Sequence, residues 1–238
     1  QLHDMWTEFH RTVTEPLAAA GIPFAITPGN HDASAYPSFK HEREAYRIAW
    51  ADRRPDLDFV DDAGFPFRYA FRLNGVLFVS LDATRTGQLP AEERDWLATL
   101  LAGAGPDEAR VLYGHLPVWP VAQGRETEFM DDPLLRALLE DEQVGLFLSG
   151  HHHAYYPGLA GNTTHIAQAC LGSGPRRLIG APRVSPRGFT RLKIDDGRIV
   201  ELAAYVEPGF EEPLDPALLP DYIDTSLGRL NRFEPAPP

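Results

Sequence analysis

Three short apolar runs in this sequence each end in a glycine that is followed by a possible metal ligand. The runs lie within residues 23–27, 109–115 and 144–153, and the polar sequences at their ends are Gly-Asn-His-Asp (29–32), Gly-His (114–115) and Gly-His-His-His (150–153). Short apolar runs bounded by glycine are typical of buried strands. In α/β sheets, ligands bind outside the carboxyl ends of the strands. We therefore expect the three ends to converge on one site, with the glycines letting the backbone turn there.

Helical patterns alternate with these runs and complete the expected fold. Helices are predicted over residues 1–20, 38–51, 89–103 and 132–142, the first from apolar residues at three- and four-residue steps and the third from Pro90 near its start and Gly103 beyond its end. Hairpins are predicted over residues 67–82, around Asn74-Gly75, and across residues 195–197. Strand–helix units mixed with hairpins indicate an α/β fold with a mixed sheet, or with two sheets packed together.

Length and composition favour one large globular domain. The chain has 238 residues, of which 43% are hydrophobic and 24% charged, and no apolar run reaches the ~18 residues that a membrane-spanning helix needs. The single Cys170 excludes an internal disulfide framework and a cysteine-rich metal site. We divide the chain into a domain over residues 1–206 and a proline-rich, acidic tail over 207–238 that either lies over the domain or is partly disordered.

The histidines carry the signal for a metal, although each motif alone is weak. Gly-Asn-His-Asp is equally consistent with a tight turn in which Asp32 caps the next helix. Three consecutive histidines after a buried strand are harder to explain by packing, however, because exposed imidazoles there bury no apolar surface. On a strand, His151 and His153 would point to one face and His152 to the other. Imidazole is the commonest transition-metal ligand, so the three motifs together favour a metal site.

The order and spacing of these motifs resemble the calcineurin-like metallophosphoesterases, and Gly-His-His-His-Ala-Tyr (150–155) resembles the purple acid phosphatase branch of that family. The resemblance covers residues 1 to about 205. It implies a four-layer αββα sandwich, in which two mixed β-sheets pack together and are flanked by helices. It also implies hydrolysis of a phosphoric ester, as a phosphomonoesterase or phosphodiesterase, by a hydroxide that two divalent or trivalent metal ions activate, with iron, manganese or zinc as the expected metals.

The same resemblance suggests roles for individual residues. Asn30, His115 and His151 would hold one metal, His153 would reach the other, and the catalytic His31 would sit beside the leaving group. The family's Asp-x-His and Gly-Asp-x-x-Asp motifs, which supply the remaining ligands and the bridging carboxylate, do not occur in these 238 residues. We expect them upstream of residue 1, so that this chain is N-terminally truncated and inactive by itself.

Charge is distributed unevenly along the chain. Residues 143–194 contain no Asp or Glu and carry a formal charge of +6, although the whole chain carries −12. Beside a histidine cluster this cationic stretch would attract a phosphate ester, and we take Arg176 and Arg177 as candidate substrate-binding residues. The alternative is a solvated loop whose arginines serve solubility.

Two other functions are consistent with the sequence. One rival function is a non-catalytic domain with a structural zinc at the histidine cluster, and another is a single-metal hydrolase of a non-phosphate ester. A phosphate ester is the expected substrate, nucleic acid is not indicated, and neither oligomeric state nor compartment is specified by the sequence. The isolated His10 is expected at the surface, and His165 is expected to be structural.

Overall fold

The computed structural model describes residues 2–172 and 174–235, and the elements below are those of the described residues. The α-helices, α1 to α6 in chain order, are Leu2–Phe9, Glu15–Ala19, Asn30–Ala33, Lys40–Trp50, Ala91–Ala102 and Pro133–Asp141. The strands, β1 to β12, are Asp58–Asp61, Tyr69–Leu73, Val76–Ser80, Ala109–Gly114, Leu146–Ser149, Tyr156–Ala160, Thr163–Ala167, Gly188–Asp195, Arg198–Val206, Glu212–Pro213, Tyr222–Thr225 and Gly228–Arg232. None of the helices in these ranges is both long and apolar enough to cross a membrane.

The strands form a large sheet and a small one. The large sheet has nine strands in the order β1-β2-β3-β4-β5-β7-β6-β12-β11, and the small sheet has three, in the order β10-β9-β8. The central strands β3, β4, β5 and β7 run parallel to one another, whereas the small sheet is antiparallel. Both predicted hairpins form, with positive φ at Asn74 and Gly75 in the first. The expected α/β architecture with two sheets is confirmed.

Two hydrophobic cores hold the layers together. Helices α5 and α6 pack on one face of the large sheet, where the buried side chains include Leu77, Leu97, Leu101, Leu112, Leu135 and Leu139. The small sheet covers the opposite face, where Leu192 and Leu202 contact a cluster that includes Val111 and Leu146. Burying one such leucine contributes roughly 2 kcal/mol. The two cores fix the sheet, and therefore the positions at which its central strands end.

A buried carboxylate anchors the start of α6. Asp132 accepts hydrogen bonds from the backbone N–H groups of Leu134 and Leu135, at 3.0 and 3.1 Å, and so caps the helix. Its other oxygen accepts from the Leu89 N–H at 3.1 Å and pairs with Arg94 at 2.9 Å. Because the charge is paired and both oxygens are used, burial of this carboxylate is tolerated. The loop between β4 and α6 therefore has a fixed end.

The N-terminal helix differs from its sequence pattern. A π-helical segment over His10–Thr14 separates α1 from α2, and His10 is buried there instead of lying at the surface. Its ring nitrogens lie 3.0 Å from Thr14 Oγ1 and 3.0 Å from the Ala49 carbonyl. The wider turn of the π-helix brings His10 toward α4, and Phe9 and Val13, which the pattern places on the apolar face, stay partly exposed.

The strand predicted over residues 23–27 is absent from the described structure. Within the described residues, Phe24 to Thr27 make no backbone–backbone hydrogen bonds. A side chain replaces the ladder, because the Tyr69 hydroxyl accepts from the Ile26 N–H at 2.8 Å and donates to the Ile26 carbonyl at 2.5 Å. The segment is extended and partly buried but has no strand beside it. An apolar run predicts burial, and it does not guarantee a pairing partner.

Residues after 206 contribute to the large sheet. Strand β12 pairs with β6, and β11 pairs with β12 to form the sheet edge. Leu230 and Ile223 from this hairpin are buried in the core against Tyr156. A Cβ on Gly158 would lie only 2.5 Å from the Leu230 side chain, which shows how closely the hairpin is seated.

His165 lies inside the sheet, on β7, and not among the other histidines of the strand ends. Its ring is 6.1 Å from Phe147 and 6.3 Å from Trp119, and its buried Nδ1 has no hydrogen-bond partner. Burial lowers the pKa of His165 to about 3. The imidazole is therefore neutral in the folded protein, as a structural residue should be.

We predict that His165→Phe flattens the acid dependence of stability. Unfolding returns His165 to a pKa near 6.5, so the unfolded state binds a proton that the folded state rejects. Stability is thus lost as the pH falls below 6.5, at a rate of up to ~1.4 kcal/mol per pH unit for this group. Urea unfolding of both proteins between pH 7.5 and 4.5 measures the difference.

Below pH 6.5, the free energy of unfolding should fall less steeply with decreasing pH for His165→Phe than for the wild type. Replacement of the exposed His41 by Phe is the control, because it removes one histidine without changing the core. Curves for His165→Phe and the wild type that stay parallel across this range would contradict the assignment.

Candidate metal centre

Parallel pairing brings two of the candidate ligands together. His115 follows β4 and His151 follows β5, and because these strands are parallel neighbours their carboxyl ends lie side by side. The Gly150 N–H donates to the His115 carbonyl at 2.9 Å, and the two imidazole rings lie with their centroids 5.0 Å apart. His115 Nε2 is 3.1 Å from His151 Nδ1.

Asn30 completes a set of three converging donor atoms. Its Oδ1 lies 2.6 Å from His115 Nε2, although the two residues are 85 positions apart in sequence. Asn30 begins the short helix α3, and Asp32 in the same helix accepts the Gly29 N–H at 3.0 Å. The structure therefore places Asn30, His115 and His151 at one point, while Asp32 serves the turn.

The glycines before these residues allow neighbouring atoms to approach the backbone closely. None of Gly29, Gly114 and Gly150 has a positive φ. A Cβ on Gly29 would lie 2.6 Å from Asp32 Oδ2, and one on Gly114 would lie 3.0 Å from the Ala83 Cβ. After β5, the left-handed conformation is taken by His151 and His153 and not by Gly150.

The three consecutive histidines leave the strand and take different conformations. Strand β5 ends at Ser149, and both His151 and His153 have left-handed backbones, with φ of 61° and 51°. This conformation costs a non-glycine residue roughly 1–2 kcal/mol. The histidines are therefore not in a strand, and the alternation of faces predicted for His151, His152 and His153 does not explain why their side chains point in different directions. The His153 ring faces the Gly174 carbonyl, which lies 3.0 Å from its Nδ1.

His152 is a buried structural residue. Its Nδ1 accepts the backbone N–H groups of Val121 and Ala122, at 3.1 and 3.3 Å, and its Nε2 donates to the Glu128 carbonyl at 3.0 Å. Burial lowers the pKa of His152 to about 4, so the ring stays neutral. The central histidine of the three fastens the loop after β4 to the turn after β5.

Sequence reasoning missed a carboxylate at this site. Glu128 Oε2 lies 2.9 Å from His151 Nε2, and the guanidinium of Arg125 pairs with the same carboxylate. Burial raises the pKa of Glu128, but the hydrogen bonds from Arg125 and His151 outweigh it and lower the pKa overall. No motif marks this glutamate in the sequence, because its role depends on a loop fold.

A second missed network holds the Asn30 turn in place. Arg43 donates to the Ala33 carbonyl at 2.9 Å and forms an ion pair with Asp82, which follows β3. Thr84 donates to the same carbonyl at 3.2 Å. The backbone N–H of Asp82 donates to buried Glu93 at 2.8 Å, and burial followed by the Asp82 charge raises the pKa of Glu93 to about 7. The end of β3 therefore positions α3.

Electrostatics keep the converging imidazoles neutral. Burial, and then the neighbouring histidines, lower the pKa of His115 to about 3. Burial also lowers the pKa of His151, although Glu128 opposes the shift. Neutral imidazoles present lone pairs, and the two nitrogens and one amide oxygen that converge here form a donor set that suits zinc, iron or manganese. The residues present therefore fit one metal ion.

The same donor set is incomplete for two ions. Across residues 2–172 and 174–235, no group of three or more His, Cys, Asp or Glu side chains has the geometry to hold a metal. The nearby carboxylates are engaged elsewhere, since Asp32 binds the Gly29 N–H and Glu128 binds the far side of His151.

The remaining candidate residues lie at different distances from the cluster. His31 is exposed and borders a cavity of about 290 Å³ with a largely apolar lining that includes Trp6 and Trp50. Arg176 reaches the site, where its Nη1 donates to the His151 carbonyl at 3.0 Å. Arg177 is exposed, and its carbonyl accepts the Gln123 N–H.

The charge surplus of residues 143–194 is partly neutralised by later residues. Arg187 pairs with Glu207 at 3.0 Å, and Arg191 forms an ion pair with Glu201 of β9. The formal charge along the sequence therefore overstates the charge at the histidines, where Arg176 donates to the His151 carbonyl and Arg125 pairs with Glu128.

Comparison with known families decides the class of the protein. The sequence profile of calcineurin-like phosphoesterases matches residues 3–155, which include every candidate metal ligand. The chain belongs to this family. Among curated protein sequences, none matches the chain.

Two solved structures that resemble this chain are phosphatases. A purple acid phosphatase from yellow lupin (Lupinus luteus) seeds is 16% identical and has a TM-score of 0.64, and the match covers 86% of this chain and 41% of the lupin chain. A dimetal phosphatase from Danio rerio is 18% identical with a TM-score of 0.47, and the match covers 70% of this chain and 67% of that protein. The first likeness supports the metallophosphoesterase fold, and this chain spans about two fifths of the lupin protein's length.

Proposed function

We propose that this calcineurin-like phosphoesterase hydrolyses a phosphoric ester at a centre of two metal ions, one of which is held by Asn30, His115 and His151. The observation that carries the proposal is the convergence of Asn30 Oδ1 and His151 Nδ1 on His115 Nε2, at 2.6 and 3.1 Å. Asn30 Oδ1 and His151 Nδ1 both meet one ring nitrogen of His115, which carries at most one proton, so a cation shared by the three atoms would satisfy them better than that single proton does.

The chain's own residues support the proposal in distinct ways. His153 lies on the same turn as His151, and its Nδ1 contact with the Gly174 carbonyl leaves Nε2 as the donor atom toward the second ion. When bound, two metal ions polarise the phosphoryl group and lower the pKa of water. His31 stands one residue from Asn30 beside open space, where it can hold a proton for the departing oxygen.

The carboxylates that two ions require are proposed to come from outside residues 1–238. Two dications ~3.5–4 Å apart need a bridging anion, and a neutral imidazole cannot bridge. Support comes from the segment 24–27, whose backbone does not pair with a described strand, so that its residues other than Ile26, which binds the Tyr69 hydroxyl, can still pair with a further strand. Within residues 2–172 and 174–235, one ion would have three neutral donors and the other ion one.

We predict that Asn30→Ala, His115→Ala and His151→Ala each remove metal and activity together. Each change deletes a donor atom, so the loss of Zn²⁺ affinity should exceed the ~10–100-fold that removal of a ligand's hydrogen-bond partner costs. Elemental analysis and phosphatase assays of the intact protein measure both, with His41→Ala, on the exposed face of α4, as the control.

The same measurement separates the rival functions. Two ions per intact chain favour the phosphoesterase, whereas one tetrahedral zinc that cannot be exchanged favours a structural site. Residues 1–238 alone should hold at most one ion, weakly, and show little activity. Full metal content in all three variants, or tight binding of two ions by the isolated segment, would contradict the ligand assignment or the origin of the carboxylates.

His31 is predicted to serve chemistry and not metal binding. His31→Asn should keep the metal content and lose ~10²–10⁴-fold in rate, because the proton donor is removed. Alkyl phosphates need a proton on the departing oxygen, and nitrophenyl phosphates leave without one. The loss in kcat should therefore be larger for alkyl esters, and equal losses on both substrates would exclude the acid role.

Arg176 is predicted to bind the anionic substrate, with Arg177 as its matched control. Arg176→Gln should raise KM by about tenfold at low salt, as expected for one charge-assisted contact, with metal content unchanged. Arg177→Gln removes the same charge from an exposed position and should change KM less. Both effects should shrink in high salt. Equal, small effects of the two variants would support the solubility role of this loop.

A further inference from the structure

We propose that Glu128 is a positioning residue that fixes the tautomer and the ring orientation of His151, so that the unprotonated Nδ1 of His151 points its lone pair at the metal centre. The inference rests on the proposed function, because it assumes that Asn30, His115 and His151 bind a cation. It adds Glu128, which belongs to none of the sequence motifs. Glu128 would act on the metal centre through His151 and would not bind the metal itself.

The tautomer follows from which atoms face each other. An ionised carboxylate can only accept hydrogen bonds, and Glu128 Oε2 lies 2.9 Å from His151 Nε2. Nε2 must therefore carry the proton, and Nδ1 of the neutral ring must be bare. Nδ1 is the atom that lies 3.1 Å from His115 Nε2 at the converging cluster. A carboxylate behind a ligating imidazole orients the ring and raises its basicity.

The carboxylate is itself held in place by an ion pair and by the neighbouring histidine. The Arg125 guanidinium pairs with Glu128 and stabilises its charged form. His152 fixes the main chain of the same glutamate, because its Nδ1 already accepts two backbone N–H groups and its Nε2–H therefore donates to the Glu128 carbonyl at 3.0 Å. Two adjacent histidines thus hold one glutamate, the first by its side chain and the second by its backbone.

The backbone of the turn makes this double contact possible. His151 has a left-handed φ of 61°, which bends the chain directly after Gly150, and Arg176 donates to the His151 carbonyl at 3.0 Å. In a regular strand, His151 and His152 would project to opposite faces and could not both reach one residue of the adjoining loop. The strained conformation and the position of Glu128 are parts of one arrangement.

The test compares Glu128→Ala and Glu128→Gln with Glu126→Ala and Glu126→Gln in the intact protein. Glu126 is an exposed control two residues away, and its side chain accepts the Gly124 N–H at 2.9 Å. Zn²⁺ affinity is measured by chelator competition, and the His151 tautomer is measured in the metal-free protein by long-range ¹H–¹⁵N correlation spectroscopy.

We expect wild-type His151 to be protonated at Nε2 and Glu128→Ala to lose ~10–100-fold in Zn²⁺ affinity with a mixed tautomer. Glu128→Gln keeps an accepting oxygen and should retain the Nε2–H form with a smaller loss, which a merely structural role would not produce. The Glu126 variants should change affinity by less than about twofold.

Two results would overturn the inference. One is the finding that wild-type His151 carries its proton on Nδ1; this measurement is made on the wild type and does not depend on the folding of a variant. The other is a Glu128→Ala protein with wild-type affinity and tautomer. Failure of the proposed function looks different, since the wild type would then bind no Zn²⁺ through its histidines whatever the tautomer of His151.

Discussion

Parallel pairing of the central strands is the constraint on which the candidate site depends. Parallel strands end at the same edge of a sheet, so whatever follows β4 must meet whatever follows β5. The pairing of Gly114 with Ser149 sets this register, and it puts His115 beside His151. A slip of one residue between these strands would turn one imidazole away from the other. The two cores on either side of the sheet therefore hold the site in register as well as stabilising the fold.

Much of the fold and part of the site could be predicted from the sequence because the relevant signals are local. Helix α6 has a capping Asp132 and a proline at its start, and the Asn74-Gly75 turn specifies its own hairpin. His115 and His151 stood out because glycine and histidine are unusual directly after buried strands. Such signals need no knowledge of distant residues, and the family's sequence profile covers the same motifs.

What the sequence did not reveal depends on contacts between distant residues. Glu128 resembles any surface glutamate until the loop after β4 folds against His151 and His152. His10 resembled a surface histidine because a π-helical segment cannot be anticipated from apolar spacing. The segment around Ile26 has the composition of a strand, but its hydrogen bonds go to the Tyr69 hydroxyl. In each case the partner was supplied by another part of the chain.

The seating of the final hairpin has a consequence for how the protein folds. Strand β12 covers the edge of β6, and Leu230 fills space beside Gly158, so the sheet is closed by residues about seventy positions downstream of the strand they protect. Until those residues leave the ribosome, the edge at β6 is exposed and able to pair with another chain. Folding of this sheet is therefore expected to finish only after Gly228–Arg232 have been synthesised, and a chain that lacks this strand would leave the core beside β6 open.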